Sequence, residues 1–365
     1  MNPSRREFLG RAASLVAAIS IARASAAEDR PASSSKYTPS PKTQQLLSVF
    51  GLTYPIFQAP IGSGSGPELA IAVSSAGAMG AMALWTAAPD EARTRVERVR
   101  SATNRPFVVN YVLAFEPTSL PAALEAGAPI VQFSWSMPDK RLVAAVRQAG
   151  AKLGIQVTSA ESARAALDLG AEYLVYQGTE AGGHVQATSR LFETLPKVLD
   201  EAKQTPVVAA GGMGNGADIR KVLSAGASAA MLGTRFVATR ESLAHQEYKE
   251  ALVRADGSQT VLTVCFEGGW PNATHRVLRN GTFIRWEAAG CPPVGKRPGE
   301  GDVVATRPDG RQVLRYASPF PLQGFKGDQL LDCPLYAGEG VSAVRDIPSA
   351  GDLVHRLWKE CEAAG

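Results

Sequence analysis

The chain has 365 residues and a formal net charge of +4, of which a net +3 lies in the first 26 residues, where Arg5, Arg6, Arg11 and Arg23 face a single acid, Glu7. The remainder, near +1, lacks the basic excess of a nucleic-acid-binding surface. Four cysteines (Cys265, Cys291, Cys333, Cys361) lie in the last third without Cys-x-x-Cys spacing, so nothing starts a zinc site, and they read as buried apolar residues.

The first element in chain order is Ser4-Arg5-Arg6-Glu7-Phe8-Leu9-Gly10, then a mildly apolar run from Ala12 to Ala22, then Ala24-Ser25-Ala26. A charged start, an apolar run too short to span a bilayer and a small-residue cleavage tripeptide make an export signal. The adjacent arginines resemble a twin-arginine signal, which is an address and not an anchor. That resemblance implies the twin-arginine translocation machinery as a partner, a periplasmic destination, and a protein exported already folded. Residues 27–41 are rich in Ser and Pro and read as a tether.

Eight short apolar segments follow as predicted strands: Ile56–Ala59, Met79–Ala83, Phe107–Tyr111, Ile130–Phe133, Leu153–Val157, Tyr173–Gln177, Val207–Ala210 and Ala229–Leu232. Several are preceded by a helical stretch ending in Gly-Ala, as in Leu124-Glu125-Ala126-Gly127-Ala128 and Leu167-Asp168-Leu169-Gly170-Ala171. Glycine just past a helix supplies its left-handed cap, and continuous apolar strands suit a parallel sheet buried on both faces. Eight such units point to an α/β fold of the (β/α)8, or TIM barrel, type over residues 42–254. An open doubly wound sheet is the alternative, because counting strands does not establish closure. Gly62-Ser63-Gly64-Ser65-Gly66, after the first strand, lacks the G-x-G-x-x-G spacing and an acid for a ribose. It reads as a loop into a helix whose first turn holds Pro67 and Glu68.

The sixth strand runs into Gly178-Thr179-Glu180-Ala181-Gly182-Gly183-His184. Paired glycines let backbone approach a ligand, and His184 is the residue type whose ordinary pKa suits proton transfer near neutrality. The seventh strand ends in Gly211-Gly212-Met213-Gly214 and the eighth in Gly233-Thr234-Arg235. Loops after strands seven and eight of such barrels commonly bind phosphate through backbone N–H groups. Residues 255–335 are rich in Gly, Pro and Arg and read as an irregular cap, with Thr260–Phe266 as a candidate strand. Trp270, Trp286, Tyr316 and Phe320 there either wall the site or pack within the cap. In the final segment, 336–365, Leu353–Trp358 reads as an amphipathic closing helix. His245, His275 and His355 show no partner pattern and read as surface or structural residues.

Taken in order, Gln58-Ala59-Pro60 with Pro67-Glu68-Leu69-Ala70, Gln177-Gly178 through His184, Ala210-Gly211-Gly212, Gly233-Thr234-Arg235-Phe236 with Glu241-Ser242, Tyr336-Ala337-Gly338-Glu339-Gly340 and Val344-Arg345-Asp346-Ile347 resemble the nitronate monooxygenase family. The resemblance implies a barrel carrying non-covalent FMN, with a nitronate substrate oxidised to a carbonyl compound and nitrite while O2 is consumed. By matching position it implies FMN contacts from Asn110, Gln177, Gly182, Gly211, Gly212 and the run Met231, Leu232, Gly233 and Thr234, and catalysis by His184. The amides of Asn110 and Gln177 read equally as structural groups satisfying loop backbone. Val185-Gln186-Ala187 stands where the family commonly shows a basic residue or glycine, and Met231-Leu232 replaces a frequent Gln-containing pair. The alternatives are an FMN-dependent NAD(P)H reductase of the enoyl-thioester type, or a non-catalytic periplasmic binding barrel.

Overall fold

Parallel pairing joins the strands in a continuous circuit. The structure, a computed structural model, describes residues 37–364. The expected signal segment and nearly all of the tether lie outside them, and Ser40 and Pro41 at the tether's end already cap and open a helix, Pro41–Phe50. The barrel strands are Ile56–Gln58, Gly80–Ala83, Phe107–Val112, Ile130–Ser134, Lys152–Val157, Tyr173–Gln177, Val207–Ala210 and Ala229–Leu232, each paired in parallel with its sequence neighbours. The eighth returns to the first with Phe57 opposite Met231. Gln58 N donates to Met79 O and Met79 N to Ile56 O, both at 2.9 Å, which closes the last seam. The closed barrel, not the doubly wound sheet, is the fold.

Two cores follow from the two-residue period of the strands. Phe57, Met79, Ala81, Val108, Ile130, Tyr173, Val175, Val208 and Met231 fill the barrel interior, and Leu46 and Phe50 of the first helix plug its lower end. Ile56, Met82, Val109, Val131, Ile155, Leu174, Ala209 and Leu232 pack outward against the helices. The helix after the eighth strand is brief, Thr234–Val237, and the ring is completed by the C-terminal helix, Ala350–Ala363. That helix packs between helices Pro67–Ser75 and Gly216–Ser224. Gly216 explains the close approach: a Cβ there would lie 2.5 Å from Leu357 O.

Residues between Thr234–Val237 and the closing helix form the cap. It holds helix Gln246–Arg254, helix Gly281–Ala288, a hairpin of Val303–Thr306 and Gln312–Leu314, and strand Thr260–Thr263 paired with His275–Leu278. The last of these also pairs with a two-residue strand, Gly183–His184, so the cap is stitched directly to the loop after the sixth barrel strand. Buried arginines hold it. Arg315 meets Asp332 at 2.5 Å and Asp302 at 3.3 Å, and Arg297 meets Glu267. The four cysteines form no disulfide; three are buried and Cys291 is exposed. No described helix is long and apolar enough to cross a membrane.

Candidate active site

A cavity of about 660 Å³ opens at the C-terminal ends of the barrel strands, beneath the cap. This is the end at which parallel barrels place their functional loops. The loop after the sixth strand is fixed from below and above. Glu180 is buried and its carboxylate accepts the N–H of Leu191 at 2.9 Å, while its carbonyl accepts from Glu339 N at 3.0 Å. Gly182 touches the 337–338 backbone so closely that a Cβ would lie 2.6 Å from the carbonyl carbon of Ala337. Gly183 then takes φ +78°, and His184 follows, paired with His275 across the short antiparallel ladder.

Among the described residues, four aromatic rings surround His184. Its ring stacks on Trp270 at 4.3 Å and 23°, with Trp135 at 6.1 Å, and with His275 and Tyr336 each at 5.4 Å. Trp135 and Trp270 pack at 4.5 Å, and Phe115 and Trp85 extend the wall. His184 Nε2 is buried without a hydrogen-bond partner among the described residues. Burial, reinforced by His275, lowers the His184 pKa to about 3. The second histidine is also neutral, its pKa lowered to about 4 by burial. Its Nε2 accepts from Phe266 N at 3.1 Å, which leaves Nδ1 to donate to Ala273 O at 2.8 Å. His184 is therefore a neutral imidazole with an uncommitted ring nitrogen in an apolar enclosure.

Trp135 has φ +69°. For a bulky residue this is a true outlier, costing on the order of 1–3 kcal/mol that its surroundings must offset. On the opposite wall, Gly211 and Gly212 take φ +128° and +68°, conformations open to glycine. Among the described residues, the N–H groups of Gly212, Gly233 and Thr234 make no hydrogen bond within the chain. The Thr234 hydroxyl accepts from Gly338 N at 3.0 Å, leaving its proton free to donate.

The sequence model of the nitronate monooxygenase family matches residues 43–123 and 116–360. The nitronate monooxygenase of Pseudomonas aeruginosa is 30% identical over 87% of this chain and 99% of that protein. The chain belongs to the nitronate monooxygenase family. It is accordingly an enzyme of the oxidoreductase class. A nitroalkane oxidase from Streptomyces ansochromogenes superposes with a TM-score of 0.69 at 30% identity, covering 87% of this chain and 98% of the other. A FabK mutant from Thermotoga maritima gives 0.72 at 25% identity, with coverages of 88% and 96%. Both share the barrel of this nitronate monooxygenase family member and superpose over nearly the whole of their own chains.

Of the residues singled out by this family resemblance, His184, Asn110, Gln177, Gly182, Gly211, Gly212, Met231, Gly233 and Thr234 all line the cavity. Leu232 does not. One residue beyond inward-facing Met231, its side chain lies in the outer core, and its carbonyl accepts from Ala59 N at 2.9 Å. Gln177 is committed to the loop: Nε2 donates to His184 O at 3.3 Å, and Oε1 accepts from Gln186 N and Gln156 Nε2, both at 3.2 Å. Asn110 donates to Gln132 O at 3.1 Å. His275, expected at the surface or in a structural role, is fully buried behind His184. Trp270 and Phe320 wall the cavity, whereas Trp286 and Tyr316 pack inside the cap. Trp135, Trp85, Phe115 and Gln156 gave no sequence signal, because isolated aromatic and amide residues at strand ends carry no motif.

Proposed function

We propose that this enzyme oxidises alkyl nitronates, and nitroalkanes from which an α-proton is first removed, to a carbonyl compound and nitrite with consumption of O2. The observation that carries the reading is the buried, unpartnered Nε2 of a neutral His184 at the cavity wall. An apolar enclosure favours a base that becomes cationic only when an anion arrives beside it. The neutral ring takes an α-proton from a nitroalkane, and the resulting imidazolium then pairs with the anionic nitronate. The aromatic wall excludes water from that ion pair, which strengthens it.

FMN is the cofactor of this reading. The free N–H groups of Gly212, Gly233 and Thr234, with the Thr234 hydroxyl proton, fit a phosphate. Gly182, Gly211 and Met231 line the cavity beside them, as does Asn110, whose Nδ2 already donates to Gln132 O and Ser134 Oγ and whose Oδ1 is left to accept from a polar ring edge. When bound, the flavin supplies the electron-accepting chemistry; the chain supplies orientation and the proton site. The reading includes export by the twin-arginine route with the cofactor already loaded. Fractionation of cells carrying Arg5→Lys with Arg6→Lys tests that part: an unchanged periplasmic pool would reject it.

The test of the reaction is an absorption spectrum of the purified protein, followed by anaerobic addition of a nitronate. Flavin bands that bleach or shift and recover with air support the proposal. Bands indifferent to nitronate but bleached by NAD(P)H would replace it with a reductase, and a protein that takes up no flavin would leave a binding barrel.

A further inference from the structure

Gln186 lies two residues beyond His184, and the fold gives it a specific task. Its Oε1 accepts the N–H of Trp135 at 3.0 Å, a bond between the loops after the fourth and sixth strands. Its own N–H donates to Gln177 Oε1 at 3.2 Å. The same oxygen accepts from Gln156 Nε2 at 3.2 Å, and Gln177 Nε2 donates to His184 O at 3.3 Å. Three successive barrel strands are thus braced by three glutamines, and the brace ends on one side at His184 and on the other at Trp135.

Trp135 needs such a brace. At φ +69° it is left-handed without being glycine, and a conformation of that kind persists only where neighbours over-determine it. The conformation places the indole against Trp270 at 4.5 Å and 58°, and edge-on to His184 at 6.1 Å and 77°. Remove the acceptor and the Trp135 amide is left without its partner, so the loop is free to relax to ordinary backbone. The indole would then leave the wall.

We propose that Gln186 is a positioning residue that holds Trp135 against Trp270 and His184, and that the wall so formed selects the flat or apolar substituent of the substrate. The proposal rests on the nitronate reading for its substrate class. The charged nitronate group pairs with His184; what the two indoles beside it recognise is area and shape. Substrates with a phenyl or comparable apolar group are therefore favoured over the smallest nitronates, and the preference is set by a residue outside the cavity lining.

The test compares the nitronates of nitroethane and of 2-phenylnitroethane on the FMN-loaded enzyme. Gln186→Leu keeps the bulk and deletes the acceptor; it should raise KM for the phenyl compound about tenfold, with the smaller part of the effect on kcat and the ethyl compound little changed. Trp135→Gly tolerates the left-handed backbone and should raise KM for the phenyl compound at least as much, with a smaller loss for the ethyl compound. The double variant should add little, since the two residues act as one unit. Gln186→Glu retains an acceptor and should restore the phenyl preference. Equal changes in KM for both nitronates, or single effects that multiply in the double variant, would overturn the proposal.

A second readout does not need turnover. Loosening the wall admits water to the His184 ring, so NMR of the imidazole should show its titration point rising in both single variants. A titration point that stays where it is in both would also overturn the assignment. Should the wild-type enzyme oxidise no nitronate at all, the functional reading fails, and this titration alone decides the role of Gln186.

Discussion

Barrel and cap are built on opposite principles. The barrel repeats one local unit, and its strands are buried along nearly their whole length. The cap has few regular elements and relies on contacts distant in sequence: Arg315 reaches Asp302 and Asp332, Arg276 reaches Glu339, and Arg235 reaches Asp346. The barrel fixes positions at the strand ends; the cap decides what those positions face. His184 belongs to the first region, and Trp270, His275 and Tyr336, which make its enclosure, belong to the second.

The sharpest break in this comparison is His184→Ala, which removes the barrel's chemical contribution and leaves the cap intact. Loss of a positioned acid or base lowers turnover by roughly 10²–10⁴-fold, so steady-state O2 consumption with a nitroalkane should fall by that factor while flavin retention holds. Asp332→Ala attacks the cap instead. It leaves the Arg315 guanidinium, 1% exposed, without its closest carboxylate. Arg315 keeps Asp302 at 3.3 Å and Gln329 at 2.5 Å, so the loss is that of one charged hydrogen-bond partner, about 1–3 kcal/mol, and it should appear in denaturant melts as an early transition of the cap.

Acid tests the enclosure shared by the two regions. Unfolded, each histidine titrates near 6.5; folded, burial lowers His184 to about 3 and His275 to about 4. Below about pH 6.5 the unfolded chain therefore binds more protons, and stability declines as pH falls until the folded groups titrate as well. Each histidine removes up to about 1.4 kcal/mol per pH unit in that window. Thermal melts from pH 7 to 5 should show the decline, and His275→Phe should flatten it. A curve equally steep in that variant would mean the pair does not carry the effect.

Two glycines give the smallest and most selective comparison. Gly182→Ala drives a Cβ into the backbone of Ala337 and Gly338 at the junction of barrel and cap, and overpacking of this kind costs about 1–3 kcal/mol. Gly233→Ala meets nothing closer than 3.6 Å, so stability should change by about 0.5 kcal/mol or less. Chemical denaturation of the flavin-free proteins checks both. Equal destabilisation by the two would contradict the junction as drawn.

The sequence by itself determined the eight strand–helix units and the placing of their active end, while closure into a barrel was decided by the pairing of the first strand with the second and eighth. All eight strands fell within a residue or so of their predicted bounds, because each apolar run, several of them behind a Gly-Ala helix end, is a local signal that needs no partner. The same locality placed His184 after the sixth strand and the paired glycines after the seventh. Tertiary structure alone decided the rest. That Leu232 turns outward followed from the register of the closed sheet, and that Gln177 serves its own loop followed from where Gln156 and Gln186 arrive. Trp135, Trp270 and His275 come from three distant parts of the chain to enclose one imidazole. Their meeting is set by closure of the barrel and seating of the cap, which are properties of the assembled core and leave no spacing in the sequence to read.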